Sequence, residues 1–182
     1  ESPGVYTNAN LSAEVGSEYQ MDVRVDGKTY TAKSTLPTPI IIDSLITKGE
    51  KRPFRDELDY EYHLYFQDNP GTRDFLRFRL FINNERKNGS FRYEDRLTDG
   101  NYIDFYAFFF PDDEDIRAGD IVRIETLTID EATYEYFDTL RRVLANTGRG
   151  GGPTGSASPS NPTTNWNNGA LGYFSAYTID VK

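Results

Sequence analysis

Apolar and polar residues alternate with a period of two along most of this chain, the pattern of strands with one buried face. Tyr19, Met21, Val23 and Val25 alternate with Gln20, Asp22, Arg24 and Asp26, which predicts a strand whose apolar side packs inward. Asp26-Gly27 follows, and both residues tolerate the positive φ of a tight hairpin turn. The return strand sets Tyr30 and Ala32 inward and Thr29, Thr31 and Lys33 outward. Pro37 and Pro39 end it, because proline gives the ladder no N–H. Ile40, Ile41 and Ile42 open the next strand, and the polar run from Lys48 to Asp59 reads as an exposed loop. Tyr60, Tyr62, Leu64 and Phe66 then share a face, as do Leu76, Phe78, Leu80 and Ile82 beyond the Asp68-Asn69-Pro70-Gly71 turn. Turns are also expected at Asn83-Asn84 and Asn88-Gly89. Tyr102–Phe110 is a strand with rings on both sides, Ile121–Ile129 is another, and Tyr173–Val181 closes the chain.

From Asp130 to Asn146 the spacing changes to three and four, which puts Tyr134, Phe137, Leu140 or Arg141, and Leu144 on one helical face. Asp130 is the expected N-cap, Glu131 suits the first turn, and Arg141 and Arg142 lie toward the negative end of the helix dipole. Residues 148–162 form a Gly/Pro/Ser-rich stretch, expected to be mobile. The pattern predicts a mainly β fold, a β-sandwich of immunoglobulin-like kind or a partly closed barrel, with one helix before the last strand. At 182 residues it reads as one domain, 1–182, in which 1–36 are also compatible with the end of a preceding β-rich segment. The start at Glu1-Ser2-Pro3-Gly4-Val5-Tyr6 reads as mid-chain, with a leader expected upstream.

Composition narrows the function classes. A formal net charge of −9 argues against nucleic acid and anionic lipid as partners, since both need clustered Lys and Arg. The absence of cysteine removes disulfides, thiol nucleophiles and Cys metal sites together. Aromatic residues make up 14% of the chain, which suits pleated surfaces where rings pack across strands.

Candidate chemistry is sparse. The single histidine, His63, falls on the polar face of its strand, where it reads as a surface residue and not as a member of an acyl-transfer triad. Asp112, Asp113 and Asp115 are the weak alternative for a metal site, although they lack the spaced acid-glycine pattern of an EF-hand loop. The glycine tract lacks the lysine of a phosphate loop and follows a helix instead of opening one. No cofactor is expected. On the aromatic strand, Ile103, Phe105, Ala107 and Phe109 face one way and Tyr106, Phe108 and Phe110 the other, so the second side needs cover from the helix, a loop or a partner. Trp166 sits between Asn165 and Asn167, either as an aromatic anchor for a sugar or peptide or as a plug for the sandwich end. The ligand-contacting residues expected are therefore Trp166, Asn165, Asn167 and Tyr106.

Several strings in fixed order carry a resemblance: Gly16-Ser17-Glu18-Tyr19, Thr29-Tyr30-Thr31-Ala32, Leu36-Pro37, Ile42-Asp43-Ser44-Leu45, Ala118-Gly119-Asp120, Ile129-Asp130 with Tyr134-Glu135-Tyr136, and above all Asn161-Pro162-Thr163-Thr164-Asn165 running into Gly169–Tyr177. Together the chain resembles the family called domain of unknown function 4249. Trp166-Asn167-Asn168 departs from the pattern expected there. The resemblance implies a predicted lipoprotein of Bacteroidota, lipid-anchored at the outer membrane on its surface or periplasmic face and often encoded beside a TonB-dependent transporter. It brings no catalytic residues. The expected function is a non-catalytic accessory domain of an outer-membrane uptake system, binding a nutrient (a small molecule, glycan or peptide) or contacting the transporter. Two other readings stand beside it: a structural or adhesive surface module, and a hydrolase of exported polymers acting through two facing carboxylates.

Overall fold

The computed structural model describes residues 4, 5, 7, 8, 10–51, 58–87, 91–107, 118–147 and 161–182. Among them the first strands, β1 (Glu18–Val25) and β2 (Lys28–Thr35), form a hairpin sheet of their own. Its turn is Asp26-Gly27, at φ 48° and 74°, the left-handed pair that matches strand twist in a two-residue hairpin. A three-stranded sheet follows, in the order β3 (Ile42–Lys51), β4 (Leu58–Gln67), β8 (Tyr102–Ala107). The larger sheet has the order β10 (Thr178–Val181), β9 (Val122–Ile129), β5 (Phe75–Ile82), with β6 (Glu85–Arg86) and β7 (Phe91–Glu94) both on the far edge of β5. All pairings are antiparallel. Among the described residues no sheet closes into a barrel, and the arrangement is that of a β-sandwich.

Period two explains the core. Tyr62, Leu64 and Phe66 of β4 and Ile103 of β8 are buried from one sheet, and Leu76, Phe78, Leu80, Ile82 and Ile124 are buried from the other. Phe78 stacks on Phe105 across the interface with centroids 4.8 Å apart. Burying one such ring contributes about 1.5–3 kcal/mol. The opposite face of the larger sheet carries Phe75, Leu127 and Ile129 under α1 (Glu131–Thr147). Asp130 caps that helix, its Oδ1 accepting from Thr133 N at 2.7 Å. The guanidinium of Arg77 lies 3.9 Å above the Phe137 ring, and Arg92 pairs with Asp138 at 2.9 Å, which clamps the helix to the sheet.

Several expectations change. Met21, Val23 and Val25 are exposed, because nothing among the described residues covers that side of β1. Lys48–Lys51 and Leu58–Asp59 belong to strands, not to a loop. The last turn of α1 holds no basic residue, and Arg142 pairs with Asp138 one turn back at 2.6 Å. The last strand begins at Thr178 and not at Tyr173, and Leu171, Tyr177 and Ile179 are exposed. The helix covers the larger sheet, so it is not the cover for the second side of β8. The 148–160 part of the Gly-rich stretch, together with Asp112, Asp113, Asp115, Phe108, Phe109 and Phe110, lies outside the described residues.

Candidate functional site

The outer face of the β3–β4–β8 sheet gathers most of the reactive side chains. Register puts Ile46 and Tyr106 on either side of His63, Lys48 opposite Glu61, and Asp104 opposite Tyr65. Since Tyr62, Leu64 and Phe66 fill the core, alternation turns Glu61, His63 and Tyr65 outward. An irregularity between Ile42 and Ser44 breaks the β3 register and leaves Asp43 beside Tyr102. Neighbouring rings make His63 the most enclosed member, at 9% exposure. It stacks on Tyr65 at 6.1 Å and 15°, and Tyr106 tilts against it at 5.0 Å. Tyr65 in turn stacks on Tyr102 at 6.3 Å and 19°. His63, Tyr65 and Tyr102 thus form a stripe of near-parallel rings, ending at a Tyr102 that is 58% exposed.

Carboxylates border the stripe. His63 Nδ1 lies 2.7 Å from Asp104 Oδ1. An ionised carboxylate only accepts, so Nδ1 carries the proton and donates it. Lys48 Nζ, 3.4 Å from the same nitrogen, is therefore a neighbouring charge and not a donor to it. His63 Nε2 is buried without a hydrogen bond and lies 3.8 Å from Glu61 Oε2. The Tyr106 hydroxyl donates to the other oxygen of Glu61. Partial burial pushes the Asp104 carboxyl up, but hydrogen bonds from His63 and Tyr65 and the charge of Lys48 outweigh it and hold it below the usual range. Partial desolvation and the Asp43 carboxylate raise the Tyr102 hydroxyl above the ordinary tyrosine range. The face offers stacking surface, acceptors and one ammonium, all fixed on sheet strands.

The sequence-predicted residues divide between two places. Tyr106 lies on this face. Asn165, Trp166 and Asn167 lie beside the hairpin, where their amides close the open edge of β2. Asn167 N donates to Thr31 O at 3.0 Å, and Asn167 Oδ1 accepts from Thr31 N at 2.8 Å, reproducing a strand-like pair. Asn168 Nδ2 donates to Thr29 O, and Asn165 Nδ2 donates to Lys33 O. Asn165 also donates to Phe174 O and accepts from Phe174 N, at 2.7 and 3.0 Å. Gly169, at φ 75°, turns the loop back where a side chain would be strained. Trp166 is half-buried, its ring edge-on to Phe174 at 6.4 Å.

An acidic corner lies at one end of the sandwich, where the chain crosses between sheets at 68–74 and again at 95–101. Carboxylate oxygens of Asp68, Asp95 and Asp99 lie within 4.8 Å of one another, the only group of three or more potential metal ligands so placed among the described residues. Burial is the main reason that Asp68 is raised from 3.8 to about 6, opposed by the Gly100 N–H and reinforced by Asp95 and Asp74. Burial raises Asp74 as well, against hydrogen bonds from Asn69 and Thr72.

An open antiparallel sandwich with a helix on one outer face, a ring-and-carboxylate stripe on the other and an acidic corner at one end defines the class of this domain. The chain belongs to the DUF4249 family, described as a domain of unknown function, whose model matches residues 1–182. No curated protein and no solved structure matches the chain. Sequence reasoning reached Tyr106 but missed its partners, because only strand register reveals that Glu61, His63, Tyr65 and Asp104 converge. The period-two spacing of Glu61, His63 and Tyr65 within β4 was the signal available.

Proposed function

We propose that this chain is a non-catalytic binding domain of an accessory outer-membrane lipoprotein serving a TonB-dependent transporter, and that it holds a glycan-type nutrient on the outer face of the β3–β4–β8 sheet. The observation that carries this reading is the stripe of His63, Tyr65 and Tyr102, with successive rings 15° and 19° from parallel. A sugar presents flat C–H faces that stack on the free side of Tyr102, at the exposed end of the stripe, and hydroxyls that bond the bordering carboxylates and ammonium group. Asp43, Asp104 and Lys48 border the stripe and are exposed. A non-catalytic role is supported by the state of the acids. A glycosidase needs a general acid with a raised pKa facing a second carboxylate across the substrate. Asp104 on the outer face is held down, and the strongly raised Asp68 is sealed at 0% exposure.

A second observation favours a protein contact as well. Met21, Val23 and Val25 form an exposed apolar row on β1, at 42%, 38% and 50% exposure. Such a row on an edge hairpin suits a protein surface, here the transporter or its assembly. Co-purification of a lipidated full-length form with a co-expressed TonB-dependent transporter tests the placement. Retention of the transporter and impaired uptake on deletion are expected, and no association together with normal uptake overturns it.

A further inference from the structure

Asp68, Asp74, Asp95 and Asp99 come together because two chain crossings share one end of the sandwich. Asp68, Asp74 and Asp95 are buried, at 0%, 5% and 4% exposure. Each of the three clustered carboxylates accepts a backbone N–H through one oxygen: Asp68 Oδ2 from Gly100, Asp95 Oδ1 from Thr98 and Asp99 Oδ1 from Gly71. These bonds orient the carboxylates without neutralising them. Asp68 Oδ1 is buried and accepts from no N–H or hydroxyl group, and inside the cluster the Asp68 carboxyl lies against that of Asp95. Among the described residues no Lys or Arg pairs with any of the four aspartates. Arg73 and Arg96, the basic residues beside Asp74 and Asp95 in sequence, pair with Glu94 and Glu131 instead. Buried carboxylates in contact are costly unless a proton or a cation sits among them, and above the range where Asp68 keeps its proton only a cation can.

We propose that this corner is a calcium site in which Asp68, Asp95 and Asp99 supply carboxylate ligands and Asp74 adds charge beside them. The donor set is all oxygen, which selects a hard cation over a transition metal. Two ligands on opposite sides of Ca²⁺, at about 2.4 Å each, lie about 4.8 Å apart, the span within which these oxygens already fall. Calcium accepts the irregular geometry that two loops impose, whereas Mg²⁺ demands an octahedron and keeps several waters. A bound ion would also tie the β4–β5 corner to the β7–β8 corner and so lock both sheets at that end. The site is distinct from the ring stripe.

The test uses the whole chain, stripped with EGTA and titrated with CaCl₂ by calorimetry and thermal melting. Saturable one-to-one binding with a dissociation constant on the order of 10⁻⁴ M or tighter is expected, together with a higher Tm in calcium. Asp99→Asn, at an exposed position, is expected to weaken binding at least about tenfold while melting like wild type in EGTA. Asp68→Asn is expected to raise the EGTA Tm and to abolish the calcium response, and if it does not fold Asp99→Asn decides. Paired Asp112→Asn and Asp113→Asn are expected to leave the response intact. Absence of saturable binding at millimolar calcium, an equal response to Mg²⁺, or a response lost in the 112/113 variant and kept in Asp99→Asn overturns the proposal.

Discussion

Ser34 donates its hydroxyl proton to Asp130 Oδ2 at 2.6 Å, and the other oxygen of that carboxylate caps α1. Ser34 Oγ in turn accepts from Ala176 N at 2.9 Å. One aspartate therefore joins the hairpin, the helix start and the segment leading to the last strand. Replacing Asp130 with Ala removes the cap and leaves a buried hydroxyl without an acceptor. The expected loss is about 2–3 kcal/mol, roughly 1 from the cap and the rest from the unpaired group. Urea unfolding measures it, and Asp130→Asn should lose less because its carbonyl still accepts.

Asn165 is the residue to test for a structural role against a ligand-contacting one. Its amide makes three hydrogen bonds within the chain, to Lys33 O and to both backbone groups of Phe174. Asn165→Ala is expected to cost about 2 kcal/mol and to accelerate hydrogen exchange in β2, because the edge cap opens. Amide exchange by mass spectrometry reads this directly, and unchanged exchange in 28–35 contradicts the capping role.

The exposed apolar row gives the opposite expectation. Met21→Ser and Val23→Thr should change stability by no more than about 0.5 kcal/mol, since neither side chain packs on the core. The same pair should reduce recovery of the transporter with the lipidated protein. Unaltered recovery removes the hairpin from the contact.

The acidic corner sets a pH dependence. In EGTA the folded protein holds the Asp68 proton up to about 6, against an ordinary value of 3.8. The folded state then binds more protons than the unfolded one between these values. Its stabilisation is complete below about pH 4 and is lost as pH rises through 6, by up to about 3 kcal/mol. Calcium should reverse the trend, because the metal binds the ionised carboxylates. Melting curves from pH 4 to 7 with and without calcium check both signs.

The core was legible wherever alternation met burial. Tyr62, Leu64 and Phe66, and the row Leu76 to Ile82, fall where period two puts them, and Asp130 caps where its position before the helical spacing implied. Alternation marks two sides of a strand but not which side is covered, so the apolar side of β1 reads as core in sequence and stands exposed in the fold. His63 falls on the expected face, yet Tyr65 and Tyr106 enclose it, and only register sets them there. Asp68 and Asp95 belong to different loops, so no local spacing announces their meeting. The Asn161–Tyr177 string that carries most of the resemblance contains the β2 edge cap, a structural task that its asparagines and glycines account for.

Binding on the outer face is tested most directly by screening the domain against an oligosaccharide array, as wild type and as a Tyr65→Ala, Tyr102→Ala pair. Both rings lie outside the core, so the variant should fold with a near-native Tm. Wild type is expected to retain a defined set of glycans, and the variant to lose at least about fivefold in affinity, since each ring contact is worth about 0.5–1.5 kcal/mol. No retained glycan, or equal retention by both proteins, contradicts a ring-stripe binding site.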